Sequence, residues 1–266
     1  MPTAGPFLKA AAMPHEETTI ATPDGHCPIH VFTPPQGGSA PAIIFYMDAG
    51  GIRPAVFGMA ERLANAGYVV LLPDLFYRYG PYGPFDPTEV LKGDFLSVLG
   101  PLMATTSNAK AAQDTTAILA YLDTRKDVEG KKAGAVGFCM GGGMAIAAAG
   151  TCPDRFAAVA SFHGGNLATE AHDSPHNFAP KLKAHLYIAA ATDDGSYPPA
   201  MAERLETALH HTNVSYRAKT YPAAHGWMKP DFPVFNEIAA EQGWQDMLAF
   251  FKRELRSTND NPTIDV

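Results

Sequence analysis

The chain has 266 residues, of which 46% are hydrophobic and 18% are charged, as is ordinary for a globular protein. This length suits one large α/β domain or two small ones. Lys and Arg number 20 against 27 Asp and Glu, a formal charge of −7, and no basic run occurs, so nucleic acid is not an expected partner. No window approaches the roughly 18 apolar residues of a membrane span, so we expect no membrane partner.

The cysteines and the first residues bear on the cellular compartment. Cys27, Cys139 and Cys152 form an odd, sparse set without metal-ligand spacing. We therefore expect neither a disulfide framework nor a bound metal. The first residues lack a charged n-region, and Lys9 interrupts their only apolar stretch, so no secretory signal is expected. The sequence predicts a cytoplasmic protein.

The N-terminal third begins with a hairpin and continues with buried strands. Polarity alternates over residues 16–35 around Pro23-Asp24-Gly25, as in a hairpin. Residues 41–51 form an apolar run that ends in glycines, which predicts a strand buried on both faces. Residues 56–76 predict a helix that stops near Gly67, followed by a second buried strand.

Strands and helices alternate through the rest of the chain. Residues 108–125 have helical periodicity and are followed by a short strand, "KKAGAVGFC". Further along lie strands "RFAAVASFHGG", "KAHLYIAAATDDG" and "VSYRAKTYPAAHG", and helices "PPAMAERLETALHHT" and "EIAAEQGWQDMLAFFKREL". This alternation predicts an α/β fold with a mostly parallel, twisted sheet and helices on both faces. We expect a single domain over residues 1–256 and a polar tail over 257–266.

Two segments do not fit the alternation. Residues 77–102 and 163–180 are long, irregular and rich in Pro, Gly or aromatic residues. Both follow predicted strands, so both lie at the edge of the sheet where open α/β folds bind ligands. Loops of this length are usually functional or disordered, and the aromatic content favours ordered pocket walls.

A cysteine stands between glycines where a strand meets a helix. Gly137-Phe138-Cys139-Met140-Gly141 has the form G-x-nucleophile-x-G, with Cys at the position where Ser is commoner. So sharp a turn strains its central residue and leaves no room for side chains two positions away. It would hold the Cys139 sulfur at a helix N-terminus and leave the Met140 N–H free to face an oxyanion. The alternative is a small buried cysteine in a glycine-rich turn.

A thiol nucleophile needs a base, and the base needs an orienting acid. Two later strands end in suitable residues, one in Asp193-Asp194 and the next in His225-Gly226. The order nucleophile, acid, histidine is the one expected in this architecture. The residues alone leave both carboxylates open, and N-capping of the helix at Pro198 and Pro199 is the structural alternative for this acid.

Five stretches resemble the dienelactone hydrolase family, cysteine-dependent members of the α/β-hydrolase superfamily. They are "MDAGGIR", "GYVVLLPDLFYR", "GFCMGG", "ATDDGSYP" and "YPAAHGW", and they lie within residues 41–229, most of the chain. The resemblance implies an α/β-hydrolase fold with no cofactor. The family acid usually stands four residues before a proline, and counting back from Pro198 selects Asp194 over Asp193.

The resemblance also implies an oxyanion hole and a substrate site. Aligning "DAGGIR" with the family places the second oxyanion-hole N–H on Ala49 and sets Asp48 where the family carries a glutamate. Arg78 and Lys229 match two cationic positions that grip a substrate carboxylate, although Lys lacks the bidentate fork of Arg. Trp227 replaces a phenylalanine of the family. The structural alternatives are surface cations and a core aromatic residue.

The implied reaction is attack of Cys139 on the carbonyl of a dienelactone-type ester, giving a maleylacetate-like product in aromatic-compound degradation. His225 would transfer protons, and Asp194 would hold its imidazole. The first alternative is a general carboxylesterase that acts on uncharged esters, for which Arg78 and Lys229 would have no purpose. The second is a non-catalytic binding protein of the same fold. The expected partner is a small lactone or ester, and the sequence leaves the oligomeric state open.

Overall fold

Eight strands form one sheet in residues 15–256, the part of the chain that the computed structural model describes. The strands are β1 (His15–Thr22), β2 (Gly25–Phe32), β3 (Ala40–Tyr46), β4 (Val69–Pro73), β5 (Val128–Phe138), β6 (Phe156–Phe162), β7 (His185–Asp193) and β8 (Tyr216–Ala224). Their order across the sheet is β1-β2-β4-β3-β5-β6-β7-β8. The six strands from β3 to β8 pair in parallel, so their carboxyl ends lie at one edge.

The N-terminal hairpin is confirmed. Strands β1 and β2 pair antiparallel along their whole lengths, from His15 opposite Phe32 to Thr22 opposite Gly25. Strand β2 then pairs antiparallel with β4 and thereby joins the hairpin to the parallel part of the sheet. The turn falls at Pro23-Asp24, and Gly25 has a φ of 137°, a conformation that favours glycine.

Seven α-helices connect the strands or flank the sheet in the described residues. They are α1 (Pro54–Asn65), α2 (Pro87–Lys92), α3 (Phe95–Met103), α4 (Asn108–Leu122), α5 (Met140–Thr151), α6 (Pro199–His211) and α7 (Glu237–Arg256). Two glycines of β5 demonstrate that helices cover both faces. A Cβ at Gly134 would meet Phe251 of α7, whereas a Cβ at Gly137 would meet Gly141 of α5. Residues three apart on a strand point to opposite faces, so α7 and α5 lie on opposite sides.

This double cover explains the composition of the central strands. Every residue of β3 and of β4 is buried, and both strands are continuous apolar runs. Helix α5 is also buried over most of its length, because its small Gly and Ala residues allow close packing against β5, β6 and α4. A helix of this composition lies in the interior, so the residue at its N-terminus is held rigidly.

The two long segments are more regular than the sequence predicted. Residues 77–102 contain α2 and most of α3, which begin after the capping side chains of Asp86 and Asp94. Residues 163–180 include part of a 3₁₀ helix, Pro175–Lys181. Short helices of six and nine residues carry too little periodicity to stand out among Pro and Gly.

The architecture is the predicted α/β-hydrolase fold, an eight-stranded and mostly parallel sheet with an antiparallel hairpin at its N-terminal edge. Within residues 15–256, no helix is both long and apolar enough to cross a membrane. The predicted polar tail, residues 257–266, lies outside the described residues.

Candidate active site

Three parallel strands end in the side chains that the sequence singled out as a triad. Cys139 follows β5, Asp194 follows β7 and His225 follows β8. Since β7 pairs with both β6 and β8, and β6 pairs with β5, these strand ends are close neighbours along the sheet edge. The backbone reinforces this arrangement: Cys139 N donates to Phe162 O at the end of β6, and His225 N donates to Asp193 O at the end of β7.

The backbone at Cys139 is strained, as the G-x-C-x-G pattern requires. Cys139 has φ 55° and ψ −120°, which L side chains rarely adopt. A Cβ at Gly137 would lie 1.9 Å from Gly141 O, and a Cβ at Gly141 would lie 2.2 Å from Tyr46 O. Both positions therefore need glycine because backbone atoms occupy the space. The sulfur is consequently fixed above the sheet edge at the N-terminus of α5.

We expect Gly137→Ala to destabilise the fold by about 3 kcal/mol, because a backbone carbonyl cannot yield as a flexible side chain can. Gly195→Ala is the matched control at the same sheet edge, since a Cβ there meets nothing within 4 Å. Its effect should stay within about 1 kcal/mol. Urea denaturation of the two variants measures both values, and equal stabilities would contradict the packing argument.

The three side chains form a continuous hydrogen-bonded relay. Cys139 Sγ lies 3.0 Å from His225 Nε2, and His225 Nδ1 lies 2.7 Å from Asp194 Oδ2. The Asp194 side chain is 1% exposed. By contrast, the neighbouring carboxylate of Asp193 is exposed, so it is Asp194 that faces the imidazole. Such an arrangement can abstract a proton from the thiol and return it to a leaving group.

The relay changes the protonation of its members. Burial alone would lower the pKa of His225, but its hydrogen bonds to Asp194 and Cys139 outweigh burial and raise that pKa to about 10. Burial would raise the pKa of Asp194, yet hydrogen bonds from His225 and Ser196 lower it. The site therefore favours the protonated imidazole, which can donate a proton to a leaving group.

Ser196 is a member of this site that sequence reasoning missed. Its Oγ donates to Asp194 Oδ1 at 2.5 Å, its backbone N–H donates to the same oxygen at 2.9 Å, and Oγ also lies 3.2 Å from His225 Nδ1. The Asp194 carboxylate is thus held on both oxygens. Its place two residues after the acid is the signal that could have identified it, because an Asp side chain commonly accepts from the backbone two residues on.

His163 is the second residue that was missed. It directly follows β6, has a φ of 38°, and is fully buried with its ring edge-on to that of His225 at a centroid distance of 5.3 Å. Burial, together with the nearby charge of His225, holds the pKa of His163 well below its usual range. In the part of the chain that is described, neither ring nitrogen has a hydrogen-bond partner. A neutral ring thus backs the imidazole of His225.

A cavity of about 650 Å³ opens above Cys139. Helices α2 and α3 supply one wall, the segment after β6 supplies another, and the loop after β8 closes a third side. Its lining comprises Ala49, Leu91, Phe95, Met103, Thr106, Ser107, Asn108, Cys139, Met140, Met144, Gly165, Asn166, Asp173, Asp194, Gly195, Ser196, His225, Phe232 and Val234. A larger groove of about 730 Å³ beside α6 shares only Asp194 with this cavity.

The two residues whose amides are expected to form an oxyanion hole, Ala49 and Met140, line the same cavity. Met140 is the first residue of α5, so its N–H has no acceptor within the helix. Ala49 lies just after β3. Tyr46 of β3 pairs with Gly137 of β5, so the carboxyl ends of these two strands lie side by side. Both residues therefore lie next to Cys139.

Among residues 15–256, no group of three or more His, Cys, Asp or Glu could hold a metal ion.

The structure corrects the expected position of Arg78. Its guanidinium donates two hydrogen bonds to the buried carboxylate of Asp114 on α4, at 2.9 and 2.8 Å, and a third to Asp24 in the hairpin turn. The Arg78 side chain is not part of the cavity lining. It joins the hairpin to α4, and two carboxylates satisfy its planar fork.

The structure likewise corrects the expected positions of Asp48, Trp227 and Lys229. Lys229 is fully buried and forms an ion pair of 2.6 Å with Asp48, which is also fully buried. Trp227 is fully buried and stacks on Tyr221 with a centroid distance of 4.4 Å. None of the three contributes to the cavity lining. The alignment placed them in the correct loops, but their side chains point into the protein.

Comparisons with known proteins identify one family from the sequence and support the fold from a solved structure. A family model described as the dienelactone hydrolase family matches residues 28–255. A Synechocystis sp. protein with the provisional name carboxymethylenebutenolidase is 29% identical over 223 residues, covering 82% of this chain and 88% of that protein. A Pseudomonas sp. protein named carboxymethylenebutenolidase is 25% identical over 221 residues, covering 82% and 87% respectively. The crystal structure of a provisionally named dienelactone hydrolase from Klebsiella pneumoniae superposes with a TM-score of 0.80 at 23% identity, covering 91% of this chain and 99% of that one.

Proposed function

The chain belongs to the dienelactone hydrolase family, and from this premise we propose that it hydrolyses a lactone or carboxylic ester through Cys139, His225 and Asp194. The observation that carries the proposal is the relay itself, with 3.0 Å from Cys139 Sγ to His225 Nε2 and 2.7 Å from His225 Nδ1 to Asp194 Oδ2 at the base of a cavity. A non-catalytic binding protein would have no need of a strained cysteine in contact with an oriented imidazole.

In the proposed reaction, the Cys139 thiolate attacks the ester carbonyl carbon and the carbonyl oxygen becomes an oxyanion. The N–H groups of Ala49 and Met140 receive that oxyanion. The C–O bond then breaks, the His225 imidazolium protonates the departing oxygen, and a thioester remains on Cys139. In a lactone, the leaving oxygen stays attached to the acyl group as an enol or alcohol.

Hydrolysis of the thioester completes the cycle. Neutral His225 takes a proton from water, the resulting hydroxide attacks the thioester carbonyl, and the carboxylic acid departs as Cys139 regains its negative charge. Asp194 holds the imidazole in position for both transfers, and Ser196 holds Asp194. The proton removed from water returns the imidazole to its initial cationic form.

Two substrate classes compete for this site. The relatives named carboxymethylenebutenolidase suggest a dienelactone that carries a carboxylate, which would place the enzyme in aromatic-compound degradation. The cavity favours the second class, an uncharged ester or lactone. Within the described residues its lining contains no Lys or Arg, while Asp173 contributes a carboxylate. Apart from the catalytic imidazolium of His225, which already pairs with Asp194, a substrate carboxylate would lose its hydration without gaining a cationic partner.

One substrate pair separates the two classes. Carboxymethylenebutenolide and its methyl ester have the same lactone carbonyl and differ in the charge of the side group. We expect kcat/KM for ring opening to be at least about 10-fold higher for the methyl ester, because an unpaired carboxylate costs at least 1 to 3 kcal/mol to desolvate. The rate of ring opening is measured as the loss of the diene absorbance.

Asp173→Asn supplies the matched variant. The amide can still accept the hydrogen bond that Ala109 N donates to Asp173 Oδ2, so this contact with the first turn of α4 is kept, but the negative charge is lost. The rate for the free acid should rise relative to that for the methyl ester. A faster reaction of the free acid with the unaltered protein would instead establish the anionic dienelactone as the substrate. No ring opening or ester cleavage with any member of the series would contradict the hydrolase proposal.

A further inference from the structure

A buried ion network joins the two loops on either side of the proposed oxyanion hole. The Arg53 side chain, 1% exposed, donates from Nη1 to Asp48 Oδ1 at 2.9 Å and from Nη2 to Asp48 Oδ2 at 3.2 Å. The other side of the same guanidinium faces Asp231, with Nε 2.6 Å from Oδ2 and Nη2 3.2 Å from Oδ1. Arg53 thus bridges two carboxylates that are 183 positions apart in the sequence.

Lys229 completes the network from the second loop. Its Nζ lies 2.6 Å from Asp48 Oδ2 and makes a cation–π contact with the ring of Phe138, 4.3 Å from the ring centroid. The network therefore contains two cations, Arg53 and Lys229, and two carboxylates, Asp48 and Asp231. Buried charges are accommodated only when they are paired in this way. Burial would raise the pKa of Asp48, but the charges of Lys229 and Arg53 outweigh burial and hold that pKa below its usual range.

The first loop, residues 48–53, owes its shape to this network. Asp48 Oδ1 accepts from Gly50 N at 2.8 Å, and Arg53 Nη1 donates to Gly51 O at 3.1 Å. The packing is close, since a Cβ at Gly50 would lie 2.7 Å from Arg53 Nη1. Ala49 lies between the anchored residues Asp48 and Gly50, so the direction of its N–H depends on where Arg53 holds this loop.

The second loop, residues 225–232, contains the base. His225 opens it, Lys229 N donates to Gly226 O, and Phe232 N donates to Lys229 O. Phe232 lines the cavity, and its ring centroid lies 5.4 Å from the Arg53 guanidinium. Arg53 consequently contacts both loops through charge and through an aromatic ring, although its own side chain does not line the cavity.

We propose that Arg53 is a positioning residue that holds the oxyanion-hole amide of Ala49 in register with Cys139 and His225. This inference rests on the proposed function. Oxyanion donors are effective only when they are already in place before charge develops on the substrate oxygen. A guanidinium fork fixes two carboxylates in one plane, whereas an ammonium group holds one point contact. The loops would remain but lose their fixed spacing in the absence of the fork.

Arg53→Lys separates positioning from general stability. The variant keeps the buried positive charge and loses the bridge. We expect the rate of Cys139 acylation by p-nitrophenyl acetate to fall about 10- to 100-fold, somewhat less than the loss of a complete oxyanion donor. Alkylation of Cys139 by iodoacetamide forms no oxyanion, so its rate should stay within about 3-fold of the unaltered protein.

Arg62→Lys is the matched control. Arg62 lies on α1, is 40% exposed in its side chain, pairs with Glu241 on α7 and does not line the cavity. Both rates should be unchanged in this variant. Asp231→Asn, whose side chain is 26% exposed in the parent, weakens the outer anchor by removing its charge and one of its two acceptors, while leaving the contacts between Arg53 and Asp48. It should reduce acylation about 3- to 10-fold and leave alkylation unchanged, so it serves as the test if Arg53→Lys fails to fold.

The outcomes distinguish this inference from the proposed function. Equal acylation rates in the unaltered protein and in both folded network variants would overturn the positioning role and leave the hydrolase proposal intact. A parallel fall in acylation and alkylation would also overturn it, because the defect would then lie in the thiolate and not in the oxyanion hole. If the unaltered protein is alkylated but is never acylated, the proposed function itself fails.

Discussion

Replacing Cys139 with alanine should reduce kcat/KM for ester hydrolysis by at least about 10⁴-fold, in line with the loss of a nucleophile from other triads. The reason is geometric: among residues 15–256, the Cys139 sulfur is the only nucleophile within hydrogen-bond reach of His225 Nε2, at 3.0 Å. Water activated directly by His225 would have to attack without a covalent intermediate. The measurement is steady-state hydrolysis of p-nitrophenyl acetate by the folded variant.

Cys152→Ala is the control for this prediction. Cys152 is half-buried at the end of α5, so it has similar accessibility but no imidazole partner. The third thiol, Cys27, is fully buried, and burial raises its pKa above its usual range. Cys152→Ala should retain activity within about 2-fold. If activity survives in Cys139→Ala but is lost in Cys152→Ala, the nucleophile is Cys152 at the C-terminal end of this helix, and the prediction is wrong.

Replacing Asp194 with asparagine should cost about 10³- to 10⁴-fold in kcat, because an amide at this position can present an N–H to His225 Nδ1 and so favour the wrong tautomer. Asp193→Asn is the matched control one residue away. Asp193 is exposed and contacts His225 through its backbone carbonyl, which the substitution preserves. Its effect should stay within about 3-fold. A larger loss in Asp193→Asn would mean that the other carboxylate orients the base.

The pH profile gives the Asp194 prediction a second readout. The pKa of His225 is raised from 6.5 to about 10, so the imidazolium that protonates the leaving group persists until the pH approaches about 10. The ion pair also stabilises the fold, and this contribution has the same pH dependence. It is complete below pH 6.5 and is lost as the pH rises towards 10. Asp194→Asn removes one of the groups that raise this pKa, so the alkaline limb of kcat/KM should move to lower pH. An unmoved limb would contradict the pairing.

The parts of the site that could be predicted from the sequence are those that local chemistry determines. The glycine at 137 is required by a contact with the backbone of Gly141, within a few residues of Cys139. The strand-end positions of Asp194 and His225 follow from the parallel sheet, which the alternation of strands and helices predicts. The first reason lies within a short stretch of sequence, and the second lies in a pattern that is visible along the chain.

The substrate contacts could not be predicted in this way, because they depend on partners that are distant in the sequence. Arg78 is neutralised by Asp114 and Asp24, and Lys229 by Asp48. Nothing near Arg78 or Lys229 in the sequence indicates these pairs. A cation four residues after a histidine can face a cavity or the interior, and the choice depends on a carboxylate from another loop.

The acceptor of the acyl group tests the central claim most directly. The protein is mixed with p-nitrophenyl acetate, quenched in acid within the first turnover, digested and analysed by mass spectrometry. We predict one acetyl group per chain, attached as a thioester to Cys139, which forms with the burst of p-nitrophenol and disappears no more slowly than turnover. Turnover at the full rate with no acetyl group on Cys139, or with the acetyl group on another side chain, would contradict the account.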